Sequence, residues 1–281
     1  MSFFSALLDP SMPFVRNALL AGILSSVLFG VLGSVVTVKR IAGLAGAISH
    51  AVLGGIGLAL FLAARNIVPG FPPILGALIF AVISAGLIAL VSLKAKQRED
   101  TVINALWAIG MSMGIVFIAK TPGYADPMSY LFGNILLVSV RDLVFLAFLD
   151  LAVLYLAWRF YPQIEASAFD EEFAKTRGVR TDLVFIVLLA VTAVAVVLLQ
   201  TFVGIVMVIA MLTLPSGTAA YLSRNLAGMM IRGSVLAFLF SIFGLWVSWG
   251  LDLPSGAVVV LVAGATFLLA SAAKGLRRRK P

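Results

Sequence analysis

The chain has a single histidine, His50, and it lies in the apolar, glycine-studded run "GLAGAISHAVLGGIG" at 43–57. A neutral imidazole there could coordinate a first-row divalent metal or gate a polar pathway. The plainer alternative is an imidazole hydrogen-bonded to a neighbouring backbone carbonyl. Few other side chains could join it. Asp150 sits well inside another apolar run and reads either as a pathway acid or as a structural one. Asn104 offers an amide oxygen or, equally, a helix cap. Met207 and Met211, four residues apart, offer thioethers that suit soft ions or a packing pair. Asp126 and Asp252 fall in connecting loops, where solvated acids are ordinary. With no cysteine, thiolate sites and disulfides are excluded. No G-x-x-x-x-G-K-[ST] phosphate loop and no catalytic constellation is visible, so the chain does not read as an enzyme.

These residues must be held by helices in a bilayer. Of the 281 residues 62% are hydrophobic and 11% charged, with mean hydropathy +1.14. Soluble domains carry about a quarter charged residues, so this chain cannot cover a water-facing surface. Apolar runs near 14–38, 44–64, 72–93, 102–119, 143–158, 183–200, 202–214, 234–250 and 255–273 predict an all-α polytopic integral membrane protein. The run at 202–214 is too short to cross unless it extends into "LPSGTAA", so eight or nine transmembrane helices are expected. The Gly- and Pro-broken segment 121–141 suggests a short re-entrant helix.

Charge then orients the chain. Arg16, Arg65, Lys120 and Arg141 fall on one side, and every other Lys and Arg falls on the other. The Lys/Arg-rich side is cytoplasmic, including the tail 274–281, and the net charge of +8 is mostly this bias. Nucleic acid is therefore not an expected partner. A linker at 159–182 has a candidate amphipathic helix at 169–177. Segment 214–230 carries Ala220, Leu222, Leu226, Met229 and Met230 opposite Ser223, Arg224 and Asn225, which suits a short surface or docking helix.

On a helix, Gly43, Gly46, His50, Gly54 and Gly57 recur every three or four residues and share a stripe, so they are expected to line a pore or a close helix contact. His50 would lie roughly 10 Å from the cytoplasmic end at 1.5 Å per residue. A polar group at that depth is a functional candidate by default.

At this point a resemblance enters. "GAISHAVLGG" resembles the GD-A-x-SHAVLPG segment of the membrane permeases of ATP-driven manganese, zinc and iron importers, the metal family often called ABC-3. "YLFGNILLVSVRDL" (130–143) resembles their LFG-x-x-L-x-VS-x-x-DL segment. "FDEEFAKTRGV" (169–179) is similar to their FD-x-x-[FY]-A-x-x-x-GV loop, and "VGIVMVIAMLTLPSGTAAYLSRN" (203–225) to their VG-x-x-L-[VI]-x-A-L-[LI]-x-[IL]-PAATA-x-L segment. The resemblance runs from about residue 14 to 270 and implies a single permease domain, 1–281, in the bacterial inner (cell) membrane. It further implies a second permease copy as homodimer partner, separate cytoplasmic ABC ATPases that use ATP, and an extracellular or periplasmic metal-binding protein. No cofactor beyond the transported ion is implied for this chain. It would also put a coupling helix in 214–230, with Pro215, Thr218, Ala219, Leu222, Arg224 and Asn225 meeting the ATPase. One departure stands out: the family usually has an aspartate four residues before the histidine, and here that position is Gly46. Either another residue supplies the missing oxygen, or the pathway passes metal more loosely, or the cargo differs. A metal chelate or organic solute carried by the same architecture, or an ATP-independent carrier or channel, are the alternative readings.

Overall fold

The computed structural model describes residues 3–94, 99–122, 131, 133, 135 and 138–278. The proposed re-entrant helix at 121–141, Asp126 and the end of the basic tail fall largely outside the described residues. The elements, in order, are α1 (Phe3–Leu8), α2 (Pro13–Val38), α3 (Ala42–Ala64), α4 (Pro73–Lys94), α5 (Glu99–Lys120), α6 (Val140–Arg159), α7 (Tyr161–Phe169), α8 (Glu171–Thr176), α9 (Thr181–Val203), α10 (Ile205–Leu222), α11 (Leu226–Leu251) and α12 (Ser255–Arg278). Among the described residues eight helices are long and apolar enough to cross a membrane, and α6 with α7, bent by 73°, forms a ninth candidate. The all-helical expectation and the span count hold. The short run at 202–214 does extend into the "LPSGTAA" segment: α10 continues through Pro215 to Leu222.

Two groups of helices make the bundle. α2 is embraced by α6, α10 and α11, with α12 behind α10 and α11; α3 is held between α4 and α5, and α9 bridges the groups through α4. Without a hydrophobic force between helices in lipid, close approach and van der Waals packing do the work. Added Cβ atoms mark the closest crossings. One at Gly110 would stand 2.5 Å from Ala51 Cα, and one at Gly57 would stand 2.6 Å from Gly114 O. On the other side, one at Gly33 would collide with Leu212 O.

Polar contacts between distant segments agree with the sidedness read from charge. On the basic side, Lys39 Nζ donates to Ser167 O at 2.9 Å, capping the end of α7. Ala227 N–H donates to Tyr161 Oη at 3.1 Å, and Tyr161 Oη donates to Glu165 Oε1 at 2.7 Å. Lys274 Nζ sits 4.8 Å above the Tyr221 ring. On the opposite side, Asn17 Nδ2 donates to Val138 O at 3.1 Å.

The separate short helix expected at 214–230 is not formed. The segment is the end of α10 and the start of α11, joined at 223–225. Asn225 is the N-cap of α11, its side chain accepting from Gly228 N–H at 2.8 Å. The Arg232 guanidinium donates to Leu222 O and so satisfies the end of α10. The apolar face counted from Ala220 to Met230 thus belonged to two helices. In the linker 159–182 the expected short helix at 169–177 is present as α8, preceded by α7.

Candidate functional site

The site begins at the crossing of α3 and α5. Gly54 and Gly57 of α3 meet Gly110 and Gly114 of α5: a Cβ at Gly54 would lie 3.0 Å from Gly110 O. These two glycines are therefore contact residues and not pore-lining ones. Their small size is spent on bringing the two backbones together. Toward the N-terminal ends of α3 and α5 the crossing loosens. A Cβ at Gly43 would find Ile103 Cγ2 at 3.7 Å, and one at Gly46 would find nothing within 4 Å.

His50 sits where the tight part of the crossing ends. It is 7% exposed, and its Nδ1 is buried with no hydrogen-bond partner. The backbone-carbonyl bond of the plainer reading is therefore not made from Nδ1. Its ring lies against the Trp107 indole, with centroids 4.9 Å apart and planes at 34°. Trp107 belongs to a stripe on α5, with Asn104, Ala108, Met111, Ser112 and Ile115, that forms an open surface recess. Asn104 and Ser112 are exposed on this face. Since α5 starts at Glu99, Asn104 lies within the helix and is not its cap.

α3 and α5 run side by side in the same sense, as the succession of contacts Gly43–Ile103, His50–Trp107 and Gly57–Gly114 shows. Gly46 lies between the first two of these. The open space beside it is thus level with the turn that carries Asn104, one turn from His50. The α5 face offers an amide oxygen, a hydroxyl and the Met111 thioether, and the His50 imidazole lies buried against its Trp107. Sequence reading missed Trp107, Met111 and Ser112. Their spacing from Asn104, three, seven and eight residues on, is the helical signal that could have found them.

The other candidates lie elsewhere. Asp150 on α6 is 5% exposed with neither carboxylate oxygen partnered. It faces the α2 side of the bundle, because α6 packs on α2 and α9, outside the α3–α4–α5 group. Met207 and Met211 are 2% and 0% exposed within the main hydrophobic core, where they pack. Asp252 is the left-handed residue that ends α11. No group of three or more His, Cys, Asp or Glu that could hold a metal occurs among the described residues. Of the residues proposed to meet an ATPase, Pro215, Thr218 and Ala219 are buried among helices, whereas Leu222, Arg224 and Asn225 reach the surface or its edge. The buried three cannot form a docking face.

The short helices α7 and α8 are tied to their neighbours by caps and ion pairs. Asp170 caps α8 by accepting from Phe173 N–H at 2.9 Å. Lys175 pairs with Glu171 at 3.0 Å and Asp182 at 3.5 Å, tying α8 to the first turn of α9. The Lys175 ammonium holds the Glu171 carboxyl below the usual carboxylate range, and Glu171 in turn raises Lys175. Burial lowers Lys39, with the Glu171 charge acting against it. Phe169 and Phe173 stay exposed on this unit.

Comparison with known proteins adds a consistent picture. The ABC 3 transport family matches residues 11–274. An uncharacterized membrane protein of Synechocystis is 37% identical over 92% of this chain and 90% of its own length. The manganese transport system membrane protein MntC of Halalkalibacterium halodurans is 36% identical over 95% of this chain and 89% of its own. Among solved structures, PsaBC from Streptococcus pneumoniae in complex with Fab superposes with a TM-score of 0.83 at 27% identity, covering 95% of this chain and 94% of that one.

Proposed function

The chain belongs to the ABC 3 transport family, as a multi-pass membrane permease subunit without enzymatic activity of its own, and we propose that it forms the translocation path for a divalent first-row metal ion. Manganese is the first candidate, being named for the Halalkalibacterium relative, with zinc and iron next. The observation that carries this reading is the buried His50 with an unpartnered Nδ1 beside an open polar stripe. Neutral imidazole, amide oxygen and thioether are weak ligands singly, and together they give a cation a passing foothold rather than a tight site. Asn104 supplies the oxygen that the family takes from the position of Gly46.

The α5 stripe also argues for a second copy of the chain. Asn104 and Ser112 on a membrane-spanning helix are costly against hydrocarbon, and a homodimer that covers α5 puts two such stripes around one path. This chain has no phosphate loop, and membership of the ABC 3 transport family supports a separate ATPase as the energy source for uphill transport. The α7–α8 unit, with Phe169 and Phe173 exposed, is the cytoplasmic surface that suits it. Its bonds to α2 through Lys39, to α9 through Lys175 and to α11 through Tyr161 would carry a push from below into three spans. An external metal-binding protein would deliver the ion on the opposite side.

The test is uptake of a panel of divalent metals into vesicles holding this chain with its ATPase and binding protein. ATP-dependent accumulation of one ion is expected. A second reading, a metal chelate as cargo, is favoured by Gly46 itself, which supplies no side-chain ligand for a bare ion and whose added Cβ would meet nothing within 4 Å. Uptake of chelate without free ion would replace the first reading with the second.

A further inference from the structure

On the far side of the bundle from His50, an apolar cavity of about 270 Å³ opens between α2, α6, α7 and α9. Leu32 and Val35 of α2, Val153 of α6, and Val184 and Val187 of α9 line it, with Met230 of α11 at its floor. It arises because the chain turns by 73° from α6 into α7, so α7 leaves the groove between α6 and α9 unfilled. Interiors seldom keep voids larger than a water molecule. This one reaches the molecular surface at Phe160, between α6 and α7, and at Leu183 and Val187 of α9, all three exposed.

Its cytoplasmic end has a different chemistry. Arg180 lines the mouth, and the Arg159 guanidinium stands 5.3 Å above the Phe160 ring beside it. Neither arginine is in an ion pair; among the described residues both ion pairs are made by Lys175. Gln163 also lines the cavity there, and its Oε1 is buried without a hydrogen-bond donor. The apolar walls thus end in one lining cation, Arg180, and one unfilled acceptor, Gln163 Oε1, with a second cation, Arg159, over the ring of the lining residue Phe160.

We propose that this cavity is a binding site for one anionic phospholipid of the cytoplasmic leaflet. An acyl chain lies between α2, α6 and α9, the phosphate meets Arg180 and Arg159, and a headgroup hydroxyl donates to Gln163 Oε1. Charge complementarity selects the occupant: basic pockets between spans on the cytoplasmic side favour anionic headgroups. The glycerol headgroup of phosphatidylglycerol brings both the phosphate and the free hydroxyl that the residues call for. The lipid would wedge α7 against α2 and α9, the helices that hold the cytoplasmic unit.

Native mass spectrometry of the detergent-purified full chain tests this, with phosphatidylglycerol or phosphatidylcholine as probe. Wild type should retain one phosphatidylglycerol per chain in preference to phosphatidylcholine. Arg180→Gln, at an exposed position outside any ion pair, should weaken phosphatidylglycerol about fivefold, the effect of one charge of about 1 kcal/mol at the membrane surface. Val184→Phe, which fills the cavity, should remove the retained lipid while leaving the thermal transition in place. Equal retention of the two lipids by wild type, or retention unchanged in Arg180→Gln, would overturn the proposal. So would a bound lipid that survives Val184→Phe, since it would then sit outside the cavity.

Discussion

The α3–α5 crossing makes a sharp comparison between two glycines of one site. At Gly110, a methyl group would stand 2.5 Å from Ala51 Cα, 2.8 Å from Ala51 N and 3.0 Å from His50 O. All three are backbone atoms, so no side chain can turn aside, and α3 and α5 must separate by roughly 1 Å to reach ordinary contact distance. Overpacking of this kind costs about 1–3 kcal/mol. At Gly46 the added methyl meets nothing within 4 Å, and Ala gains up to about 1 kcal/mol over Gly in a helix interior. Gly110→Ala and Gly46→Ala should therefore differ by about 1–4 kcal/mol in stability, in opposite directions from wild type. The measurement is thermal unfolding of the two purified variants in one detergent, where each kcal/mol moves the transition by roughly 2–4 °C in a chain of this order. Gly110→Ala should also disturb the contact between His50 and Trp107, read as a change in Trp fluorescence, whereas Gly46→Ala should not. Equal transitions for the two variants would refute the claim that the crossing is tight at Gly110 and open at Gly46.

Three further outcomes follow from the same geometry. Gly46→Asp places a carboxylate one helical turn from His50 in free space, and should tighten metal binding by at least about tenfold, equivalent to 1.4 kcal/mol, as read by equilibrium dialysis of the metal; unchanged affinity would mean the space does not adjoin the ion. Asp150→Asn should leave metal uptake within about twofold of wild type while raising the thermal transition, because a buried carboxyl without partners is costly; loss of uptake would return Asp150 to the path. For the Glu171–Lys175 pair the sign is set by both shifts. Glu171 lies below its usual 4.5, so its contribution is present above that value and lost as pH falls through the lower folded one. Lys175 lies above its usual 10.5, so its contribution is present below that value and lost as pH rises through the higher folded one. A spin label at Thr176 should therefore stay immobilised across neutral pH and loosen only at the two extremes; loosening near pH 7 would contradict the pairing.

Much of this architecture was legible because a bilayer imposes so few solutions. Spans, their number and their sidedness follow from apolar length and from the placement of Lys and Arg, and the polar contacts of Lys39, Tyr161 and Asn17 agree with them. His50 was legible for the same reason: a lone polar ring at depth stands out. The coupling surface was not. Pro215 looks like a helix end in sequence, yet in the bundle it is carried inside α10, beside Ser216, whose hydroxyl donates to Phe29 O at 3.3 Å. Neighbouring helices make such a proline tolerable in a membrane. The apolar stripe of Ala220–Met230 misled because periodicity does not reveal a break that Asn225 makes by capping. Gly54 and Gly57 were correctly placed on one face, but spacing alone cannot tell a face that meets a helix from one that lines a path. The α5 stripe and the cavity behind α7 depend on the angle between helices, for which no sequence signal was read.

The central claim is that His50 touches the ion in transit. Its most direct test is ATP-dependent uptake of the preferred metal into vesicles containing the assembled importer, wild type against His50→Ala, with folding checked by the thermal transition. The account predicts a well-folded variant whose uptake falls at least about tenfold, the loss of roughly 1.4 kcal/mol of interaction along the path. Uptake at the wild-type rate from a folded His50→Ala transporter would contradict it and leave the histidine a packing partner of Trp107.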